Sequence, residues 1–409
     1  MTPQSRKTQS SKTQGRSKKN RETIICLLLF GGVFLSLRLF LSDQLLSYDF
    51  ISFYSATKLF LVSKNPYDKV QLEAMQWVLP RLGEPFPAQF WYPPWFFCLF
   101  APFFAWEIRT DVVLWLLASI LAIGFSAVCC GTIYGIPRRL AALHFVSAFL
   151  FFPVIDALAW NQLGGFMSCA LAGFFLAVHR KKDGLAGLSL LVPAIKPHLF
   201  LPLSVFLAVT IVRERRYHIL FSFAAGLVVL TLMAELQRPG VTFAWLSCLG
   251  SPRTDLQTPT LANVVRSTLA LGDGSAPQWP IFAIPMLALI GTAWAVFKQP
   301  AELNLVNAAP YLCAGLLLAP YANVHDQSVL DLLQLAMLAS AWSVQSVRGR
   351  NVVRLLLFSQ AAIFVIRIFW LTHAKDFFWF PLAMLCLWYT LKRMLNQNRE
   401  SARSMASGA

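Results

Sequence analysis

Apolar blocks of about 17 to 24 residues recur from end to end of this chain, separated by short basic clusters. A helix needs that length to cross a hydrocarbon core of about 30 Å, so the pattern leaves few folds open. Of 409 residues, 57% are hydrophobic and 13% charged, a balance that a soluble core does not need. The blocks fall near 24–46, 112–134, 140–156, 163–179, 185–195, 198–212, 218–236, 279–297, 303–319, 327–343, 352–371 and 377–393. They predict an all-α, polytopic membrane protein with about twelve transmembrane helices. Residues 1–23 read as a disordered basic cytoplasmic tail, 24–393 as a single transmembrane domain and 394–409 as a second cytoplasmic tail.

The charges orient this array. The net charge of +16 would suggest nucleic acid in a soluble chain, but here the cations sit between the spans, so no nucleic-acid partner is expected. The N-terminal tail, Arg138-Arg139, Arg180 to Lys182, Arg213/Arg215/Arg216, Lys298, Arg348/Arg350 and Lys392-Arg393 all face one side if residues 93–108 are re-entrant or interfacial. The other reading is that this stretch crosses and a pair of basic loops faces outward. With the first topology both termini are cytoplasmic, and a multi-pass protein of the cell (inner) membrane is expected. The tail is not followed by a cleavable signal, because the next apolar run is too long and lacks a small-residue cleavage site. The eight cysteines form no CxxC pair and read as small hydrophobes, and no metal is expected.

The unusual polar residues then collect on the outer face, in five segments: a first loop over 47–111 with short interfacial helices, Asp156 to Gln162, the tip Lys196-Pro197-His198 of a short helical hairpin, a long loop over 237–278, and Tyr321 to Asp326. Asp49 sits among Tyr48, Phe50, Phe53 and Tyr54, a desolvated setting suited to a general base. The structural alternatives are a helix cap or an ion pair with Arg38. Asp68, three residues before Gln71, has the spacing of a structural cap. Trp160, Asn161 and Gln162 offer the indole and amides that sugars bind, or else form a capped interhelical turn. Lys196, His198, Arg253, Arg266 and His325 are cations or potential cations on the same face, suited to a lipid phosphate. No Walker loop, dinucleotide fingerprint, GxSxG or glycosidase carboxylate pair is present, and no cofactor is implied.

The order of these motifs is familiar. Asp-Phe-x-x-Phe-Tyr-x-Ala from Asp49 to Ala56, Asn-Pro-Tyr-Asp at 65–68, Tyr-Pro-Pro at 92–94, Asn-Gln before glycine at 161–164 and Ile-Lys-Pro at 195–197 resemble glycosyltransferase family 87. These are membrane enzymes of the GT-C class, with polyprenol-phosphate-mannose-dependent mannosyltransferases among them. The resemblance runs over roughly residues 24–340, and it departs from the family where Trp-Asn-Gln-Leu-Gly stands for the usual Gly-Gln pair. It implies a GT-C fold with its active site on the extracytoplasmic (periplasmic) side. It implies inverting hexose transfer from a polyprenyl-phosphate sugar to a lipid or glycan acceptor, with Asp49 as base. Lys196, His325, Arg253 and Arg266 would meet the donor phosphate, and Tyr54, Tyr92, Trp160, Asn161, Gln162 and His198 the substrates. A transporter or flippase of lipid-linked sugars is the competing class, but the inverted repeats it should carry are not visible.

Overall fold

The computed structural model describes residues 46–79, 89–249, 258–270, 276–298, 302–343 and 374–389, with short helical pieces between 351 and 392. Among the described residues every regular element is helical. Helix α1 (Tyr48–Leu61) opens the first loop and α2 (Lys69–Trp77) follows it. A polar group caps each N-terminus, where backbone N–H groups otherwise lack partners. The Ser47 hydroxyl accepts from the Phe50 amide at 3.2 Å, and the Asp68 carboxylate from the Gln71 amide at 3.1 Å. Ser47 therefore takes the cap position of α1, and Asp49 lies in its first turn.

After Tyr-Pro-Pro, α3 (Trp95–Phe100) runs into a 3-10 turn, Ala101–Phe104. Together they form one apolar helix, Trp95–Phe104, which spans about 15 Å, half of what a crossing needs. Among the described residues, three helices are long and apolar enough to cross a membrane: α4 (Ile108–Tyr134), α10 (Tyr217–Gln237) and α13 (Pro280–Lys298). A fourth crossing is available if α5 (Arg138–Phe149) and α6 (Phe152–Ala159), bent by 56° at their junction, act as one. The remaining apolar helices are shorter: α7 (Gly164–His179), α8 (Asp183–Ser189) with the 3-10 turn Pro193–Ile195, α9 (Leu201–Arg213) and α14 (Leu305–Leu318). Two smaller elements, α11 (Val241–Cys248) and α12 (Leu261–Leu269), precede α13 in sequence, and α15 (Asp331–Ser343) follows α14.

Of the expected dozen crossings, three long helices and one bent pair are long and apolar enough among the described residues. Proline explains part of the difference, since it removes a helix donor and breaks the run. Pro153 stands at the α5–α6 bend, and Pro193 and Pro197 divide the 185–212 hairpin into 3-10 turns. The expected spans at 24–46 and 352–371 lie almost wholly outside the described residues. On α10, Phe221 and Leu236 are 71% and 84% exposed, the outward apolar face that lipid would cover.

The interior is an aromatic block that fixes the first loop to the bundle. Phe50 and Phe53 of α1 pack on Phe104, Phe96 and Trp115 with ring centroids 5.5 to 6.3 Å apart, and Trp115 meets Phe166 of α7 at 4.8 Å. Each such pair contributes about 0.5–1.5 kcal/mol beyond its buried area. The Trp115 indole also donates to the Asn161 carbonyl at 2.9 Å, so the same block sets the turn before α7.

Candidate active site

The middle of α6, the Lys196 tip and the turn Val324–Leu330 meet at one point, within electrostatic reach of Asp49 in the first turn of α1. The tip is backbone held between two 3-10 turns, Pro193–Ile195 and Pro197–Leu199. It packs closely on α14: a Cβ on Gly315 would collide with the Leu199 carbonyl. A Cβ on Gly164 would likewise meet the Ser328 hydroxyl, with the His325 carbonyl 3.0 Å away. Glycine at these two positions lets both site turns approach their neighbouring helices.

Lys196 is buried and its ammonium donates to Asp326 Oδ1 at 2.6 Å, joining two segments 130 residues apart. Its Nζ also lies 5.4 Å from the centre of the Tyr92 ring, a cation–π contact. The second oxygen of Asp326 accepts from the Asn323 amide at 2.8 Å and closes a capping box at the start of the turn. Asn323 in turn donates to the Tyr321 hydroxyl at 2.8 Å. Both oxygens of Asp326 are thus engaged.

His325 occupies the centre. Its Nδ1 is 3.8 Å from Asp156 Oδ2, and it feels the charges of Asp326, Lys196, Asp156 and Asp49. Burial dominates and holds its pKa below the usual histidine value, with Lys196 acting in the same sense and the three aspartates against it. Asp326 is held well below the usual carboxylate range: burial opposes its charge, but Lys196, His325 and the Asn323 amide override it. Lys196 is held above the usual lysine value, because Asp326 and Tyr92 outweigh burial. Asp49 is half-buried and, among the described residues, has no hydrogen-bond or ion-pair partner.

This cluster includes Asp49, Tyr92, Lys196 and His325 from the sequence reading and adds Asp156, Asp326 and Tyr321. His198 is half-buried in the turn directly after Lys196. Trp160 is 44% exposed, and its carbonyl accepts from the Ser47 hydroxyl at 2.6 Å, tying the cap of α1 to the end of α6. Asn161 is buried with φ at +49°, and the neighbouring Gln162 side chain is buried too. Tyr54 sits elsewhere on α1: Lys58 lies 5.0 Å over its ring, and burial and the charge of Asp111 raise its pKa. Arg266 is buried in α12, where it donates to the Pro277 carbonyl and to Asn263 Oδ1, both at 3.0 Å. Arg253 lies outside the described residues.

Asp156 and Asp326 bound two of the outer-face segments read from the sequence but have no role of their own in that reading, although the signal used for Asp49 applies to them: a carboxylate in an apolar surrounding. Among the described residues, no group of three or more His, Cys, Asp and Glu side chains could hold a metal ion. Chemically, the cluster offers one uncommitted carboxylate beside a histidine that can gain charge and a buried, fixed ammonium.

The sequence model of glycosyltransferase family 87 matches residues 90–320. That span takes in Tyr92, Asp156 and Lys196 but stops short of Asp49 on one side and His325 on the other. No curated protein and no solved structure matches the chain.

Proposed function

The chain belongs to glycosyltransferase family 87, and on that premise we propose that it transfers a mannose-like hexose from a polyprenyl-phosphate sugar to a hydroxyl of a lipid or glycan acceptor, with inversion. Asp49 is the general base. The reaction takes place at the extracytoplasmic face of the cell membrane, with both termini cytoplasmic and the polyprenyl tail among the apolar helices.

What supports this reading above all is that Asp49, uncommitted among the described residues, shares its space with His325, while the other carboxylates already have partners. Asp49 takes the proton of the acceptor hydroxyl as its oxygen attacks the anomeric carbon. The bond from that carbon to the phosphate oxygen breaks, and polyprenyl phosphate leaves with the electron pair. The leaving oxygen gains negative charge, so it needs a cation more than a proton. His325 and Lys196 meet that charge. An incoming phosphate favours protonation of His325, as Asp156 does, against the burial that lowers its pKa. Tyr92, His198 and the amides of Asn161 and Gln162 are the sugar contacts. Arg253 and Arg266 are weaker phosphate candidates, since the second already serves α12.

The test is transfer of label from a panel of polyprenyl-phosphate sugars to membrane lipid and glycan fractions by purified protein. Asp49→Asn should lower the rate by about 10²–10⁴-fold, the usual worth of a general base, and leave donor binding in place. A variant with the full wild-type rate would sink the base assignment. Label that crosses the bilayer of proteoliposomes without being transferred would replace the transferase with a transporter.

A further inference from the structure

A cleft of about 700 Å³ opens between the α1–α2 turn and α11, on the far side of Tyr92 from Lys196. Asn65, Tyr67, Gln89, Arg238, Phe243 and Ser247 line it, together with Lys69 and the Phe90 ring. Both rims are braced. On one, the Ser63 hydroxyl donates to the Gln237 carbonyl at 2.9 Å, and the Gln237 amide returns a bond to the Leu61 carbonyl at 3.0 Å. On the other, the Trp245 indole donates to the Trp91 carbonyl at 3.1 Å. The floor is shared with the site described above. The Tyr67 hydroxyl donates to the Tyr92 carbonyl at 2.8 Å, the Phe90 and Tyr92 rings are 5.3 Å apart, and Tyr92 carries Lys196 on its other side.

The lining has the chemistry of carbohydrate recognition. Side-chain amides and a hydroxyl can donate to or accept from vicinal sugar hydroxyls, and aromatic faces cover the C–H side of a pyranose ring. Phe243 is 76% exposed beside the cleft, a large apolar ring without a protein cover among the described residues. The charges do not single out an anion. Lys69 has Glu73 at 3.8 Å, and Arg238 stands near Glu235, which accepts from the Gly240 and Thr242 amides. The patch is balanced, as suits a neutral polyhydroxyl ligand.

We infer that this cleft holds the non-reacting sugar residues of the acceptor, which is therefore a glycan rather than a simple lipid alcohol. The inference rests on the transferase reading for its role, while the binding itself does not depend on transfer. Phe90 of the cleft packs on Tyr92, whose ring meets Lys196, so sugars seated there adjoin the site and would place the terminal hydroxyl of a short chain on its side of the cleft.

Binding of mannotriose, maltotriose and galactotriose to the purified full-length protein in nanodiscs, followed by saturation-transfer NMR, tests this. At least one trisaccharide should bind, with affinity reduced tenfold or more in the Phe243→Ala, Gln89→Ala double variant and retained in Asp49→Asn. Both altered side chains lie at the cleft surface, and a thermal melt unchanged from wild type confirms that the double variant folds. Absence of binding by all three sugars overturns the inference, and so does binding that the double variant keeps. Label transfer that fails in wild type while trisaccharide binding persists would count against the transferase reading alone.

Discussion

Two ion pairs join distant turns of this molecule, and they differ in surroundings more than in chemistry. Lys196 and Asp326 meet with side chains only 8% and 2% exposed, while Arg216 and Asp183 meet at 18% and 22% exposure where α8 and α10 come together. Arg216 has further partners in the Val178 carbonyl, at 3.2 Å, and in Glu214, at 3.8 Å, and water can reach all of them. In the buried pair, Lys196 has the Tyr92 ring besides Asp326, and among the described residues its one anionic hydrogen-bond partner has no substitute. Removing two charges from water costs several kcal/mol each, and such a pair is often no more stabilising than an apolar one. Its place beside His325 is therefore better explained by the site than by the fold: in the proposed reaction it fixes an ammonium where negative charge develops.

Asp326→Asn breaks the comparison at its most costly point. It leaves Lys196 buried without its counter-charge, which should destabilise the protein by about 3–5 kcal/mol. Unfolding in mixed SDS micelles measures this, with transfer activity lost in the same variant. A cost under about 1 kcal/mol would mean that water reaches Lys196 and that the two pairs are alike.

Gly315→Ala tests the same pair through the backbone. The added methyl would meet the Leu199 carbonyl and push on the turn that carries Lys196. Overpacking of this kind costs about 1–3 kcal/mol. A rise in the donor KM should accompany it, because the ammonium moves with the turn. An unchanged KM with the full stability loss would show that the position of Lys196 does not govern donor binding.

Acidification acts on the buried pair and its neighbour. His325 and Asp326 are both held below their ordinary values, so the unfolded chain binds more protons than the folded one as pH falls. The stability that they contribute is complete above those ordinary values. It begins to fall below about pH 6.5 through His325 and falls further below about pH 4 through Asp326. His325→Gln should flatten the first part of the stability profile. If the slope between pH 6.5 and 5 is unaltered in that variant, histidine protonation is not its source.

Much of the site could be read along the chain because membrane charges are rare and therefore conspicuous. Asp49, Lys196 and His325 stood out in that way, and the order of short motifs around them suggested the family. What the chain did not give was partnership. The sequence reads His325 as a phosphate partner and its neighbour Asp326 only as the end of a segment, yet Asp326 locks Lys196 while His325 faces Asp156. Ser47 takes the cap of α1, a task that a residue two positions later seemed able to fill. Tyr54 follows Asp49 by five residues, which on a helix carries it round towards Lys58 and Asp111. Helix lengths were the hardest to read, since a run of apolar residues does not reveal where Pro193 and Pro197 turn it into two short pieces.

Asp183→Asn gives the smallest effect and completes the comparison. Arg216 keeps Glu214 and the Val178 carbonyl when the Asp183 charge is removed, and solvent screens what is lost. The cost should be about 0.2–1 kcal/mol, shrinking further at high salt, with transfer unchanged. A double variant with Asp326→Asn should show additive costs, since the two pairs share no partner. Coupling between them would mean that strain passes from α8 through the Pro193–Ile195 turn to the Lys196 tip. In that case the half-exposed pair would help to set the geometry of the site.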